Sequence, residues 1–351
     1  MKKRILLAAV LQIFMVLGSC SSDSGNNDAE KPVELKKGEI KADFDSFYGA
    51  DDFVIDKDDN VFFIGQTPND KDYIWKFQKI DKDGKLTLLK GINNDIPFSG
   101  RMAVSNAGEF LLIGDGLKSE TDKIFRFENN FTELNPFYTM KPISSPLADK
   151  IRLIAITGNN DNTYFVSDYN AKNIKRVLPE SGGDVFVAGS GKNAIVDGTG
   201  LNASFGGVSK LVSNNNIIYL IDNLYSGTTF VSSNIRKLEY VNNQWKVTTL
   251  SSTTNTDNFY NNIAFDSKND MYVSVSGKGI YKFNLADNTL SLFADAQLKI
   301  FTGTTKLSYH SEIDLKFIYS FKFKNNDLYL LTSNSIIKIS DYQAKLDAAT
   351  K

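Results

Sequence analysis

Two residue types that often carry enzyme chemistry occur once each in this chain of 351 residues: the histidine His310 and the cysteine Cys20. A lone imidazole in the loop-like stretch Leu307-Ser308-Tyr309-His310-Ser311-Glu312 cannot build a multi-histidine metal centre, and it has no second histidine to share acid–base work. No glycine-rich phosphate loop or serine-nucleophile elbow stands out. Carboxylates, by contrast, are plentiful. Asp168 and Asp222 each follow an apolar run, and Asp197 opens the phrase Asp197-Gly198-Thr199-Gly200. Such residues either accept hydrogen bonds from turn amides of their own element or reach a ligand, and the glycines beside Asp197 serve a close ligand approach or an ordinary turn equally well. Asp, Glu and Asn oxygens are what Ca²⁺ takes. Calcium is therefore not excluded, although no cofactor and no catalytic residue is identified. Aromatic residues make up 12% of the chain, and Phe98, Phe137, Tyr138, Tyr225 and Tyr260 fall in or beside expected loops, where they could meet a partner.

The framework that must position these residues is a repeat. The phrase isoleucine, any residue, basic residue, hydrophobic residue occurs six times, beginning at Ile74, Ile124, Ile174, Ile235, Ile280 and Ile336, at separations of 45 to 61 residues. Each copy follows a short apolar run, at 61–64, 110–113, 164–166, 217–221, 271–275 and 328–331. Continuous apolar runs bounded by turn residues suit strands covered on both faces, which reads as the inner strand of a propeller blade. The turns before them, such as Asp58-Asp59-Asn60 and Asn214-Asn215-Asn216, use side chains that tolerate left-handed backbone angles. The isoleucine phrase then supplies a third strand, and 85–89, 184–187, 246–250 and 289–293 supply a fourth. Units of this length must stack on neighbours to bury their faces. The fold class is thus all-β, a six-bladed β-propeller of four-stranded blades over residues 39–342. The sixth unit lacks a fourth strand, and residues 39–44 are expected to provide it, removing the last open sheet edges. Residues 343–351 read as a polar tail. The basic residues of the phrase, Lys76, Arg126, Arg176, Lys237, Lys282 and Lys338, either pair with carboxylates along the blades or form a positive ring.

Ahead of the repeats, Lys2, Lys3 and Arg4 precede an apolar stretch at 5–17, shorter than the roughly 20 residues that span a bilayer. This reads as a secretory signal over 1–19. Its end, Leu17-Gly18-Ser19-Cys20, resembles the lipobox of bacterial lipoproteins, which implies lipidation at Cys20 and attachment to the membrane through acyl chains. Residues 20–38 are polar and turn-forming, as expected for a lipidated flexible tether. The acidic, serine-rich start of that tether also resembles export tags for the outer cell surface, while an ordinary spacer would leave the protein facing the periplasm. The expected location is the bacterial cell envelope, most naturally the outer membrane. Lys plus Arg number 40 against 41 for Asp plus Glu, so no strong net field exists to recruit nucleic acid.

The middle third carries a family resemblance. Residues 189–205, which include Gly189-Ser190-Gly191 and Asp197-Gly198-Thr199-Gly200, are followed by Ile218-Tyr219-Leu220-Ile221-Asp222 and Asn234-Ile235-Arg236-Lys237-Leu238. Together they resemble an NHL-repeat propeller unit. Thr163-Tyr164-Phe165-Val166-Ser167-Asp168 with Asn173-Ile174-Lys175-Arg176-Val177 is a second match, and the same residues are similar to YWTD propellers. The resemblance implies six blades with ligands at the mouth of the central channel. Related lyases depend on histidines that this chain lacks, whereas a calcium-dependent lactonase needs only Glu, Asn and Asp. Two functions follow as expectations. One is an anchored binding or scaffolding module for a protein or glycan partner, with Asp168, Asp197, Asp222, Tyr225 and Tyr260 as its candidate binding face. The other is a divalent-cation-dependent envelope hydrolase or lyase at the channel mouth.

Overall fold

The computed structural model describes residues 35–47, 49–66, 75–91, 100–105, 108–114, 121–128, 133–141, 151–301, 315–332 and 335–350. Cys20, the signal and most of the tether lie outside the described residues, as do Ile74, Phe98 and His310.

Six antiparallel sheets form a six-bladed β-propeller of four-stranded blades, with the short strand Gly198–Thr199 added to the edge of blade 4. The innermost strands are Gly49–Ile55, Gly100–Val104, Leu153–Gly158, Val208–Asn214, Tyr260–Phe265 and Ile318–Lys324, each in contact with its neighbours around a central channel. The second strands are Val61–Gln66, Phe110–Gly114, Tyr164–Asp168, Ile217–Ser226, Met271–Val275 and Asp327–Thr332. These carry the continuous apolar runs, in the position just before the isoleucine phrase that the sequence reading gave them. The reason is physical. A second strand is hydrogen-bonded on both edges and packed by other blades on both faces, and Phe110–Gly114, Tyr164–Asp168 and Met271–Val275 are buried along their whole length. An innermost strand turns part of its surface to the channel and can keep polar residues there. The isoleucine phrase falls in the third strands, as in Lys123–Glu128, Asn173–Leu178 and Gly279–Asn284.

Local chemistry explains the turns joining first and second strands. Asp56 Oδ1 accepts from the backbone N–H groups of Asp58 and Asn60, both at 2.9 Å, while Asp59 takes a φ of 65°. Asp266 repeats the arrangement with Lys268 and Asp270, and Asn269 has a φ of 63°. Short Asx turns of this kind reverse the chain without a glycine.

The circle closes through the amino-terminal end of the fold, with a strand that starts five residues later and ends three residues later than the sequence suggests. Phe44–Phe47 pairs antiparallel with Ser335–Ile339 as the fourth strand of blade 6. Glu39–Lys41 instead pairs in parallel with Lys299–Phe301, on the connection between blades 5 and 6, where Ile40 and Ile300 are buried together. Asp43 sits between the two segments and accepts from Ser340 N at 2.6 Å and Ser340 Oγ at 2.8 Å. Residues 343–351, read as a polar tail, belong almost entirely to the helix Tyr342–Thr350, which packs Tyr342, Leu346 and Ala349 onto the same cluster. Its alanines permit helix, and three apolar positions at helical spacing are enough to seat it.

Candidate functional site

The bulges at the start of the innermost strands aim side chains inward. In blade 1 the register shifts between Ala50 and Phe53, and in blade 4 between Val208 and Lys210. A bulge adds a residue to one strand and re-aims the next side chain, and here it brings Asp52 and Lys210 together across the channel. Lys210 Nζ and Lys322 Nζ each lie 3.6 Å from the Asp52 carboxylate, one at Oδ2 and the other at Oδ1. Ser320 Oγ donates to Asp52 Oδ1 at 2.8 Å, and Phe53 N donates to the same oxygen at 2.9 Å. From blade 2, Arg101 Nη1 donates to the Asp51 carbonyl at 2.7 Å.

Three cations thus surround one carboxylate. Burial by itself would raise the Asp52 carboxyl, but Lys210, Lys322 and Arg101, aided by the Ser320 hydroxyl, hold it well below the usual carboxylate range. Lys210 moves the other way. Burial depresses its ammonium, Asp52 opposes that only in part, Lys322 and Arg101 add to it, and the result is a value pushed down to about 7. Beside this cluster lies a cavity of about 380 Å³, lined by the later residues of all six innermost strands, among them Val54, Met102, Ile156, Leu211, Ile263 and Phe321. It occupies the end of the channel toward the turns that join first and second strands.

The residues singled out in sequence sit at the opposite end. Asp168 pairs in register with Leu153, and Asp222 with Val208, which places both level with the beginnings of the innermost strands. Asp168 Oδ1 accepts the backbone N–H groups of Arg152, Asn170 and Ala171 at 3.0–3.2 Å. Asp222 Oδ1 accepts from Gly206 N and Gly207 N, each at 2.9 Å, and its Oδ2 accepts from Arg236 Nη1 at 2.7 Å. Gly206 is required there, because a Cβ would lie 2.7 Å from the Asn223 carbonyl oxygen. Arg236 also donates to the Val196 and Ser204 carbonyls, at 2.7 and 2.8 Å, and to Asp197 Oδ1 at 3.0 Å. Asp197 in turn holds Thr249 N at 2.9 Å and Thr249 Oγ1 at 2.7 Å. Asp197, Asp222 and Arg236 therefore fasten the connection between blades 3 and 4 onto blade 4. Tyr260 is buried, with its hydroxyl 2.9 Å from Ser251 Oγ.

Tyr225 is different. It stands 41% exposed on the hairpin between Ile217–Ser226 and Thr229–Val241, which runs several residues beyond its counterparts in other blades. On the same face Val231 is exposed, as are Phe317 and Tyr319 at the entry to blade 6. Tyr138 is half-buried and donates its hydroxyl to Asp184 Oδ2 at 2.8 Å, which together with burial pushes its pKa up to about 12. Phe137 packs edge-on against Tyr164. The basic residues of the repeated phrase do not gather: Arg126 pairs with Glu109 and Glu128, Arg176 with Asp161, Lys237 with Glu239, Lys282 with Asp270 and Lys338 with Asp327. Among the described residues no group of three or more His, Cys, Asp or Glu side chains converges as metal ligands.

Sequence reasoning missed Asp52, Arg101, Lys210 and Lys322. The available signal was a charge inside an otherwise apolar first strand, as in Val208-Ser209-Lys210-Leu211-Val212.

No protein-family model matches the chain, and no curated protein matches it by sequence. Solved structures match its fold. A protein of unknown function from Bacteroides thetaiotaomicron superposes with a TM-score of 0.54 at 14% identity, covering 85% of this chain and 72% of that one. Virginiamycin B lyase from Staphylococcus aureus gives 0.52 at 13% identity, covering 83% and 94%. A streptogramin B lyase gives 0.50 at 12% identity, covering 88% and 95%. At such identities the likeness establishes the propeller and nothing about its chemistry.

Proposed function

We propose that the protein is a lipid-anchored binding propeller of the bacterial envelope, built on NHL-like repeats, tethered through Cys20 to the outer membrane, and presenting a binding face to a protein partner. The observation that carries this is the set of exposed apolar side chains on one face of blades 4 and 6. Tyr225, Val231, Phe317 and Tyr319 are all at least 39% exposed there, and the hairpin bearing the first two is extended relative to its counterparts. Exposed aromatics beside aliphatic side chains suit the centre of a protein interface. A glycan partner would use the aromatic rings with less need for Val231.

Catalysis dependent on a divalent cation in the channel is disfavoured on electrostatic grounds. Lys210, Lys322 and Arg101 lie around the Asp52 carboxylate and repel a second positive charge. The test is capture from the native envelope with the full chain and with the Tyr225→Ser/Tyr319→Ser double variant, followed by mass spectrometry. A protein held by the wild type and by Leu292→Ser, an exposed site on another blade strand, but lost with the double variant supports the reading. Equal capture by all three, or a soluble glycan displacing every specific partner, overturns it.

A further inference from the structure

The channel cluster has no part in the face described above, and it has the attributes of a site. Two ammonium groups share a single carboxylate at 3.6 Å, longer than a direct hydrogen bond, and among the described residues they have no nearer acidic partner. Lys210 is a lining residue of the 380 Å³ cavity, and so is Lys322. Buried ammonium groups ordinarily find close acceptors, since each carries three donors and strong hydration is lost on burial. Here Asp52 is shared by two ammonium groups, those of Lys210 and Lys322. The fourth cation nearby, Lys324, is engaged, since it pairs with Asp59 at 2.9 Å. The rest of the cavity surface is mixed, more polar than apolar, because the apolar side chains of the innermost strands pack between the blades.

We infer that this cavity binds a small organic carboxylate, its anionic head between Lys210 and Lys322 and its body in the channel enclosed by the later residues of the six innermost strands. A volume of this size falls at the lower end of the range for sites that enclose small molecules. A polyanion is a poor fit, because only two ammonium groups face it, in a cavity of about 380 Å³. A cation is worse. The arriving carboxylate takes the place of the missing acceptor and, by Coulomb attraction, favours the charged form of Lys210.

That linkage gives the binding a signature. The charged groups facing Lys210 are Asp52 from blade 1, Arg101 from blade 2 and Lys322 from blade 6; the lining residues of blades 3 and 5 bring no charge. Asp52 stays ionised at neutral pH, and Lys210 is the group whose charge responds there. In the free protein it releases its proton near neutrality, and a bound carboxylate makes it take the proton back.

The experiment is isothermal titration of the full chain with 2-naphthoate, with 2-naphthylmethylammonium and inorganic phosphate as controls, in buffers of differing ionisation enthalpy. The expected result is one site for 2-naphthoate, proton uptake on binding at about pH 8, and affinity falling several-fold from about pH 6.5 to about pH 8.5. Lys322→Gln should weaken binding about tenfold, and Lys210→Met should weaken it similarly while abolishing proton uptake. Lys322 is partly exposed, so Lys322→Gln folds and remains decisive even if Lys210→Met does not. Absence of binding, unchanged affinity in Lys322→Gln, binding without proton uptake, or equal binding of phosphate or of the ammonium compound overturns the assignment.

Discussion

Arg236 in blade 4 and Lys210 in the channel are both cations held inside the propeller, and they differ in how completely the protein satisfies them. Arg236 places its two terminal nitrogens on two carboxylates and two carbonyls at 2.7–3.0 Å, over the Phe205 ring, with its side chain closed off from solvent. Lys210 has a 3.6 Å approach to a carboxylate it shares, and a cavity on its open side. A guanidinium suits the first task because its planar fork can meet several acceptors at fixed angles. An ammonium on a flexible stem suits the second, since it can follow a ligand and its pKa responds to what arrives. One cluster closes the fold, and the other leaves part of its bonding capacity for something that is not the protein.

The sharpest way to break this contrast is to remove Arg236. Arg236→Met strands Asp222 as a buried charge without its cation and leaves the Val196 and Ser204 carbonyls without the guanidinium, so the expected loss is about 3–5 kcal/mol of unfolding free energy. Denaturant titration reads it. Lys322→Gln, which removes a more exposed and more distant cation, should cost about 1 kcal/mol or less by the same measurement. Equal losses would mean that the channel cluster is as structural as the blade 4 cluster.

A second test uses pH. Lys210 has a folded value of about 7 against an ordinary value of 10.5, so between those values the unfolded chain binds more protons than the folded one. Stability therefore rises with pH across that window, and the penalty of burying the ammonium is fully present below its lower edge. From about pH 7 to about pH 8.5 the gain is at most about 2 kcal/mol, and Lys210→Met should flatten that part of the profile. Asp52 contributes nothing to the slope there, because its carboxyl is held below the usual range and stays ionised throughout. A wild-type profile that is flat or falling over this interval would show that Lys210 stays fully protonated.

The two clusters also differ in how far they could be read from sequence. The blade 4 residues lie close to recognisable phrases: Asp222 ends an apolar strand, Asp197 heads a glycine turn, and Arg236 is the variable position of the fourth isoleucine phrase. What the sequence does not state is that the three meet, because that depends on the 189–205 connection folding back over blade 4. The channel residues come from four strands spread along the chain, Gly49–Ile55, Gly100–Val104, Val208–Asn214 and Ile318–Lys324, and none carries a phrase that marks it out. The blades were legible because every copy must satisfy the same burial rules, which leaves a period. The channel was not, because its composition is set once, across the ring, and repeats nowhere. The strand that closes the ring illustrates the same limit. Its existence follows from the missing fourth strand of blade 6, but choosing Phe44–Phe47 over Glu39–Lys41 depends on where Ile40 finds its hydrophobic neighbours.

The smallest expected effect concerns the outer face. Tyr225 and Tyr319 are about half exposed, and Tyr225 makes an edge contact with the Phe230 ring. Replacing both with serine removes little buried area, so the stability change should stay within about 1 kcal/mol, measured by thermal or denaturant unfolding. Tyr260 is the matched control on the same face. It is buried against Val275 and Ser251, and Tyr260→Ser should cost about 3 kcal/mol or more through the cavity it leaves and the orphaned Ser251 hydroxyl. If the exposed pair proved as costly as Tyr260, those rings would be part of the fold, and the face would lose its claim to a partner. If the pair is silent in stability yet abolishes capture, exposure on this face is what the partner reads, while the channel stays free to take a ligand of its own.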